Sequence, residues 1–276
     1  MSPKHTIYCL GEVLLALDAD APLAHAESFR PRLGGAAAVL APACAAQGGC
    51  ASLLAQLGED PFGQRAASTR AAAGVETAHM RFSRTLPTAL LFEAGGEALS
   101  YRGRTAGLQF APEQLEPGLF QPGDALLFAS SGLCDSPLRY THLAALTAAR
   151  DAGALCCYLP RLAQAAPYWP QREALCQTAL QFLDRADVLF LEESDLLLLF
   201  GSRELRTALF ALFTGHVQLI FFYKKDRILA FTRSVMASAA KKDQSPALVL
   251  YRMEKMMLPV SSLPRLKESE LNALIG

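Results

Sequence analysis

The 276-residue chain contains a single asparagine, Asn272, and no glycine between Gly215 and Gly276. It also lacks a surplus of charge: 26 basic side chains balance 26 acidic ones. That balance leaves no electrostatic footprint for nucleic acid or an anionic membrane. Seven cysteines are present (Cys9, Cys44, Cys50, Cys134, Cys156, Cys157, Cys176), but no Cys-x-x-Cys occurs. An odd number of thiols, mostly in apolar runs, reads as buried reduced cysteines rather than a disulfide framework or zinc site. No signal peptide is recognisable, because Glu12 interrupts the first apolar run. The uncharged stretch from Leu33 to Gly58 contains Pro42, Gly48 and Gly49, so it reads as a buried helix and strand rather than a membrane span. A cytoplasmic location is the expectation. Gly-x-Ser-x-Gly, His-Glu-x-x-His, Walker A and Rossmann glycine signatures are missing, and the five histidines are scattered.

What is present is a core-forming composition: 51% of residues are hydrophobic and 19% charged. The length fits one large α/β domain or two small ones. Thr6 to Leu17 reads as a strand. Gly34 and Gly35 open an alanine-rich helix over Ala36 to Gln47, and Cys50 to Gly58 reads as a strand. Pro61 to Ala73 reads as a helix with Asp60 as N-cap and Gly74 as C-cap. Thr88–Glu93 and Glu97–Arg102 flank Gly95-Gly96 as a hairpin. From Asp124 onward, short apolar strands alternate with helices as far as Tyr223, the pattern of a parallel sheet covered on both faces. Past residue 224 the composition shifts. Lys4 is the only earlier lysine, whereas six follow, and alanine thins out. This shift reads either as a solvated C-terminal surface or as a segment of different history.

The order of these blocks resembles the ribokinase-like, PfkB-type sugar kinases, especially fructokinase-like members. "CLGEVLLALD" is similar to the family's opening strand and "PRLGGAAAVLAPACAAQGG" to its first Gly-Gly signature. "LLAQLGEDPFGQRAASTRAAAGVET" is similar to the next block, and "SYRGRTAGLQFAPEQL" to the segment after the lid hairpin. "DALLFASSGLCDSP", "DAGALCCYLPRLAQAAPYWP" and "ADVLFLEESDLLLLFG" follow in family order across roughly residues 7–223, and "SSLPRLKESELNALIG" is similar to the family's last residues. The resemblance implies a three-layer α/β fold with a mostly parallel central sheet and a small β-lid. Lid strands are expected within about 13–33 and 86–104. Residues 224–276 would form a divergent or shortened nucleotide-side segment. The implied reaction is phosphoryl transfer from ATP, with magnesium, to a sugar hydroxyl; the implied partners are a small-molecule sugar and a second copy joined through the lid.

Matching the family's parts one by one gives candidates and gaps. Gly34 and Gly35 allow close backbone approach to a ligand. The sugar-binding aspartate falls at Ala16, with Asp18 two residues on and on the same side of an extended strand. The Gly-Gly signature's asparagine falls at Val39. Arg102 stands at the hairpin base as a candidate sugar or anion ligand. The family's Asp-Pro-Asn becomes Leu159-Pro160-Arg161. Its Asn-x-x-Glu becomes Glu192-Glu193-Ser194-Asp195, which makes Glu192 and Asp195 candidate magnesium ligands; a helix N-terminus also favours acids with no ligand at all. The phosphate-binding glycine turn is replaced around Tyr223, Lys225 and Ile228, and the Gly-Ala-Gly-Asp motif that supplies the base has no counterpart. Asp243 is the one stand-in base; the alternative is a hydrated loop. Because phosphoryl transfer rests on positioning and charge stabilisation, the leading expectation is a sugar kinase whose transfer is impaired or lost. An active kinase with a rearranged nucleotide site, and a non-enzymatic sugar-binding or scaffold module, are the alternatives.

Overall fold

A computed structural model describes residues 5–213, 215–240 and 245–276. The chain starts with β1 (Thr6–Leu10), leaves the body for β2 (Leu14–Asp18) and β3 (Arg30–Gly34), and returns through α1 (Ala36–Ala46) to β4 (Cys50–Leu54). β5 (Gln56–Gly58) and α2 (Pro61–Ala72) follow, then β6 (Arg81–Ser83) and a second excursion, β7 (Ala89–Ala94) and β8 (Glu97–Tyr101). Next come β9 (Ala125–Ala129), α3 (Pro137–Asp151), β10 (Leu155–Leu159), α4 (Leu162–Ala165), α5 (Arg172–Leu183) and β11 (Val188–Glu192). The chain continues through α6 (Glu193–Phe200), α7 (Leu205–Leu212), β12 (Leu219–Tyr223), β13 (Arg227–Phe231) and β14 (Met236–Ala240). It ends with α8 (Pro246–Lys255) and α9 (Glu268–Ile275).

The central sheet has eight strands in the order β14-β13-β12-β11-β10-β9-β1-β4. From β4 to β12 every pair is parallel; β13 and β14 are antiparallel additions. Alternate side chains point to opposite faces, so both faces are apolar. Ile7, Cys9, Leu127, Cys157 and Phe221 join one core cluster with residues of α1, α8 and α9. Tyr8, Leu10, Phe128, Tyr158 and Phe222 join the other, with residues of α3, α5 and α7. The lid is a separate four-stranded sheet, β3-β2-β7-β8.

The long first strand expected over Thr6–Leu17 is two strands. The Gly11–Val13 link carries the chain from the central sheet to the lid, so one apolar run serves two sheets. The strand expected over Cys50–Gly58 is likewise split, β4 joining β1 and β5 pairing with β6. Asp60 caps α2 as expected: its Oδ1 accepts the Phe62 and Gly63 N–H groups at 3.0 and 2.8 Å.

The described parts of the tail, residues 224–240 and 245–276, are folded. α8 lies against α1, with Tyr251 packed at Gly48 and Glu254 beside Gly49, just past the end of α1. Met253, Met257 and Leu258 line one pocket with His5, Gly123 and Leu155, at the amino ends of β1, β9 and β10. The N-terminus of α8 is therefore directed toward the carboxyl end of the sheet. Its cap is Ser245, whose Oγ accepts the Leu248 N–H at 3.2 Å.

Candidate functional site: a cleft between lid and sheet

A cleft of about 320 Å³ opens where the parallel strands end, under the lid. Ligands of open α/β sheets bind outside those carboxyl ends. The lid supplies Arg32, Gly34 and Glu93, and the start of α1 supplies Gly35, Ala36 and Val39. Ala129 and Ser131 come from the end of β9; Pro160, Arg161, Gln164 and Tyr168 come from the loop and helix after β10.

Gly34 and Gly35 line the cleft as the sequence suggested, and Gly35 also has a structural duty. Its φ is +92° and ψ 142°, a region open in practice to glycine alone. A Cβ there would overlap the carbonyl oxygen of Glu12. The β1–β2 link and the start of α1 thus touch backbone to backbone. Val39 is 48% exposed, so the position of the family's asparagine presents a bare apolar surface to the cleft.

Ala16 is fully buried and packs in a small cluster with Leu14, Ala89 and Leu91, against which Tyr168 leans. The place of the sugar-binding aspartate is thus part of an apolar cluster against which a tyrosine packs. Asp18 does not take over that role directly, because it is tied to Arg32, whose Nε donates to its Oδ2 at 2.7 Å. Arg32 also bonds Glu93 through Nη2. Asp18, Arg32 and Glu93 form one ion-pair network on the lid, two of whose members line the cleft. Arg161 has a left-handed backbone, φ 47° and ψ 49°, at the start of α4.

Arg102 is not a cleft-lining ligand. It is 6% exposed and forms an ion pair with Glu12, Nε to Oε2 at 2.6 Å. Burial pulls its guanidinium down, and Glu12 more than reverses this, leaving it above its ordinary value. Burial pushes the Glu12 carboxyl up, with Arg102 pulling against it. Arg102, expected as a sugar or anion ligand at the hairpin base, is enclosed by Glu12 and Tyr168 behind the residues that line the cleft.

The two magnesium candidates separate. Asp195 is fully buried; its Oδ1 accepts the Leu162 N–H at 2.8 Å and its Oδ2 the Glu192 N–H at 2.9 Å. It joins the starts of α4 and α6, and burial pushes its carboxyl up to about 6 against those two bonds. Glu192 remains partly exposed at the end of β11. Among the described residues, no group of three His, Cys, Asp or Glu side chains could hold a metal ion. Asp243 lies outside the described residues.

On the nucleotide side, β12 and β13 form a tight hairpin: Tyr223 pairs with Ile228 and the Lys224 N–H donates to Arg227 O at 2.9 Å. The turn is Lys224-Lys225-Asp226-Arg227. Sequence reasoning missed Glu12, Arg32, Glu93 and Tyr168. Glu12, Arg32 and Tyr168 lie inside family-like blocks and Glu93 in the hairpin, but only the fold brings the β1–β2 link, β3, β7 and the loop after β10 together.

A family model described as pfkB family carbohydrate kinase matches residues 4–224. Probable fructokinase-4 of Arabidopsis thaliana is 31% identical over 207 residues, 72% of this chain and 63% of the plant protein. Fructokinase-1 of Zea mays is 32% identical over 206 residues, again 72% and 63%. The chain therefore spans less than two thirds of the length of these relatives. The crystal structure of fructokinase from Xylella fastidiosa, 25% identical, superposes with a TM-score of 0.88 over 98% of this chain and 90% of that one. Fructokinase with bound ATP from the same organism, 26% identical, gives 0.83 over 99% and 90%. Among the described residues no helix is long and apolar enough to cross a membrane.

Proposed function

We propose, since this chain belongs to the pfkB family of carbohydrate kinases, that its cleft binds a small sugar and that transfer of phosphate from ATP to that sugar is impaired. The observation that carries the second half is the Lys224–Arg227 turn. Of the two positions where the resemblance calls for glycines, Lys225 stands in this turn and Ile228 in β13, paired with Tyr223. A glycine turn brings backbone N–H groups onto phosphate; these residues block that approach with their own Cβ atoms. The burial of Asp195, whose carboxylate oxygens take the Leu162 and Glu192 N–H groups, points the same way, because it leaves Glu192 as the accessible one of the two acids and a transfer of this kind relies on charge neutralisation at the phosphates. On the sugar side the cleft persists, with Arg32, Glu93, Ser131, Arg161 and Gln164 among its polar groups.

The test has two arms. Calorimetry with fructose, the sugar in the relatives' names, should show binding. An ADP-release assay with magnesium–ATP and fructose should show turnover far below the ~1–100 s⁻¹ usual for kinases; turnover in that range would refute the impairment. A second reading, an active kinase with a rearranged nucleotide site, is favoured by the similarity, over 99% of this chain, to an ATP-bound fructokinase and by Lys224 and Lys225 at the turn. Micromolar magnesium–ATP binding selects it. Self-association through the lid is also proposed. β8 is an edge strand exposed along its whole length, with Leu99 and Tyr101 outward, and such edges invite pairing. Light scattering at monomer mass would rule it out.

A further inference from the structure

We infer that Glu12 and Arg102 are positioning residues of the cleft: a buried clamp that fixes Tyr168, the cleft's wall, to the base of the lid. Their side chains are 3% and 7% exposed. Glu12 sits in the link between β1 and β2, where the chain enters the lid. Arg102 directly follows β8, where the chain leaves it. Their ion pair ties both lid connections at one point.

The remaining contacts of Arg102 run to the cleft. Its Nη2 donates to Ser131 O at 3.1 Å and its Nη1 approaches Tyr168 O at 3.4 Å. Its face lies 4.5 Å from the centre of the Tyr168 ring. Ser131 and Tyr168 both line the cleft. One planar guanidinium therefore addresses a carboxylate, two carbonyls and an aromatic face, a set that a lysine ammonium cannot reproduce. A buried ion pair is a weak source of net stability, because desolvation offsets its attraction. What this pair supplies is geometry, holding the tyrosine against the lid cluster of Leu14, Ala16, Ala89 and Leu91. The inference rests on the reading that the cleft holds a sugar.

Trp169 is the chain's one tryptophan. It is next to Tyr168, and its indole N–H donates to Ser130 O at 3.3 Å, so its fluorescence reports on this wall. Arg102→Lys keeps the charge opposite Glu12 but loses the fork. Should it fail to fold, the double variant Glu12→Gln/Arg102→Met removes both charges together. In whichever variant gives a wild-type circular dichroism spectrum, acrylamide quenching of Trp169 should rise without ligand, and fructose affinity should fall about tenfold. Conversely, Lys224→Ala should leave the quenching unchanged. Unaltered quenching in a folded variant overturns the clamp, as does altered quenching with unaltered fructose affinity. If the wild-type protein binds no fructose, the reading of the cleft fails, and quenching of the unliganded proteins alone decides the clamp.

Discussion

Replacing Gly35 with alanine tests how closely the body and the lid connection are packed. The added Cβ would overlap the Glu12 carbonyl oxygen and lie 3.0 Å from the Glu12 carbonyl carbon and 3.5 Å from Val13 Cα. These are backbone atoms, so no side chain can swing aside. The φ of +92° costs a non-glycine residue about 1–3 kcal/mol. Relieving the overlap by moving the β1–β2 link costs about 1–3 kcal/mol more. Together these make roughly 2–6 kcal/mol, a large part of the ~5–15 kcal/mol that holds a domain folded. At ~2–4 °C per kcal/mol for a chain near this size, the melting temperature should fall by roughly 5–20 °C. Gly95→Ala is the control. Gly95 has φ +54°, and a Cβ added there would meet nothing within 4 Å, so the change should cost only ~1–2 kcal/mol for its left-handed backbone. Differential scanning calorimetry on both variants gives the answer. If Gly35→Ala melts within a degree or two of Gly95→Ala, the close approach is not rigid and the argument fails.

Three further outcomes are expected. Val39→Asn, at a position with 48% exposure, should tighten fructose binding by the net value of one hydrogen bond, about 0.5–1.5 kcal/mol; calorimetry showing no gain would mean that the sugar does not reach α1. Asp60→Ala removes the cap of α2 and the bonds to the Thr88 N–H and hydroxyl, and should cost about 2 kcal/mol in urea unfolding at pH 7. Burial pushes the Asp60 carboxyl up, but its hydrogen bonds more than reverse this and leave it low. Its contribution is therefore present above the ordinary aspartate value and lost as pH falls through the folded one, so wild type and variant should converge in acid. His142 is fully buried, its Nδ1–H donating to Leu138 O at 2.8 Å, and burial lowers its pKa to about 4. Between the ordinary value of 6.5 and 4 the unfolded chain takes up the proton first, so stability falls with pH. Relative to His142→Leu, wild type should lose roughly 3 kcal/mol from pH 7 to pH 4; parallel stability curves would contradict this. The comparison must be relative, because Asp195, raised to about 6, titrates with the opposite sign over the same range.

Local signals located the elements whose chemistry is local. Asp60-Pro61 announced α2, and Gly95-Gly96 announced the β7–β8 hairpin. β3 was expected only through the resemblance, as a lid strand within about 13–33; Arg30-Pro31-Arg32 has no strand composition of its own, and it is a strand because β2 lies beside it. The tail beyond residue 224 was unreadable for a similar reason. β13 and β14 carry ordinary apolar residues, and only pairing onto β12 decides their direction. In the site, Gly34 and Gly35 were legible as backbone that must come close to something. Arg102 and Asp195 were legible as charged groups but not as buried ones, because burial depends on partners distant in sequence: Glu12 for the first, the Leu162 N–H for the second.

The lid's threading bears on how the molecule assembles. Its central pair sets Leu14 parallel to Ala89, and a parallel pair cannot form as a local hairpin. Such pairings come late, after the loops between them have been closed. During synthesis β2 must wait, exposed and apolar, until β7 emerges, while β1 and β4 can already begin the central sheet. The same threading offers a place to cut the chain. New termini at the Gly95–Gly96 tip would leave β2–β3 and the β2–β7 pair intact, and surface tips of this kind are where circular permutation succeeds.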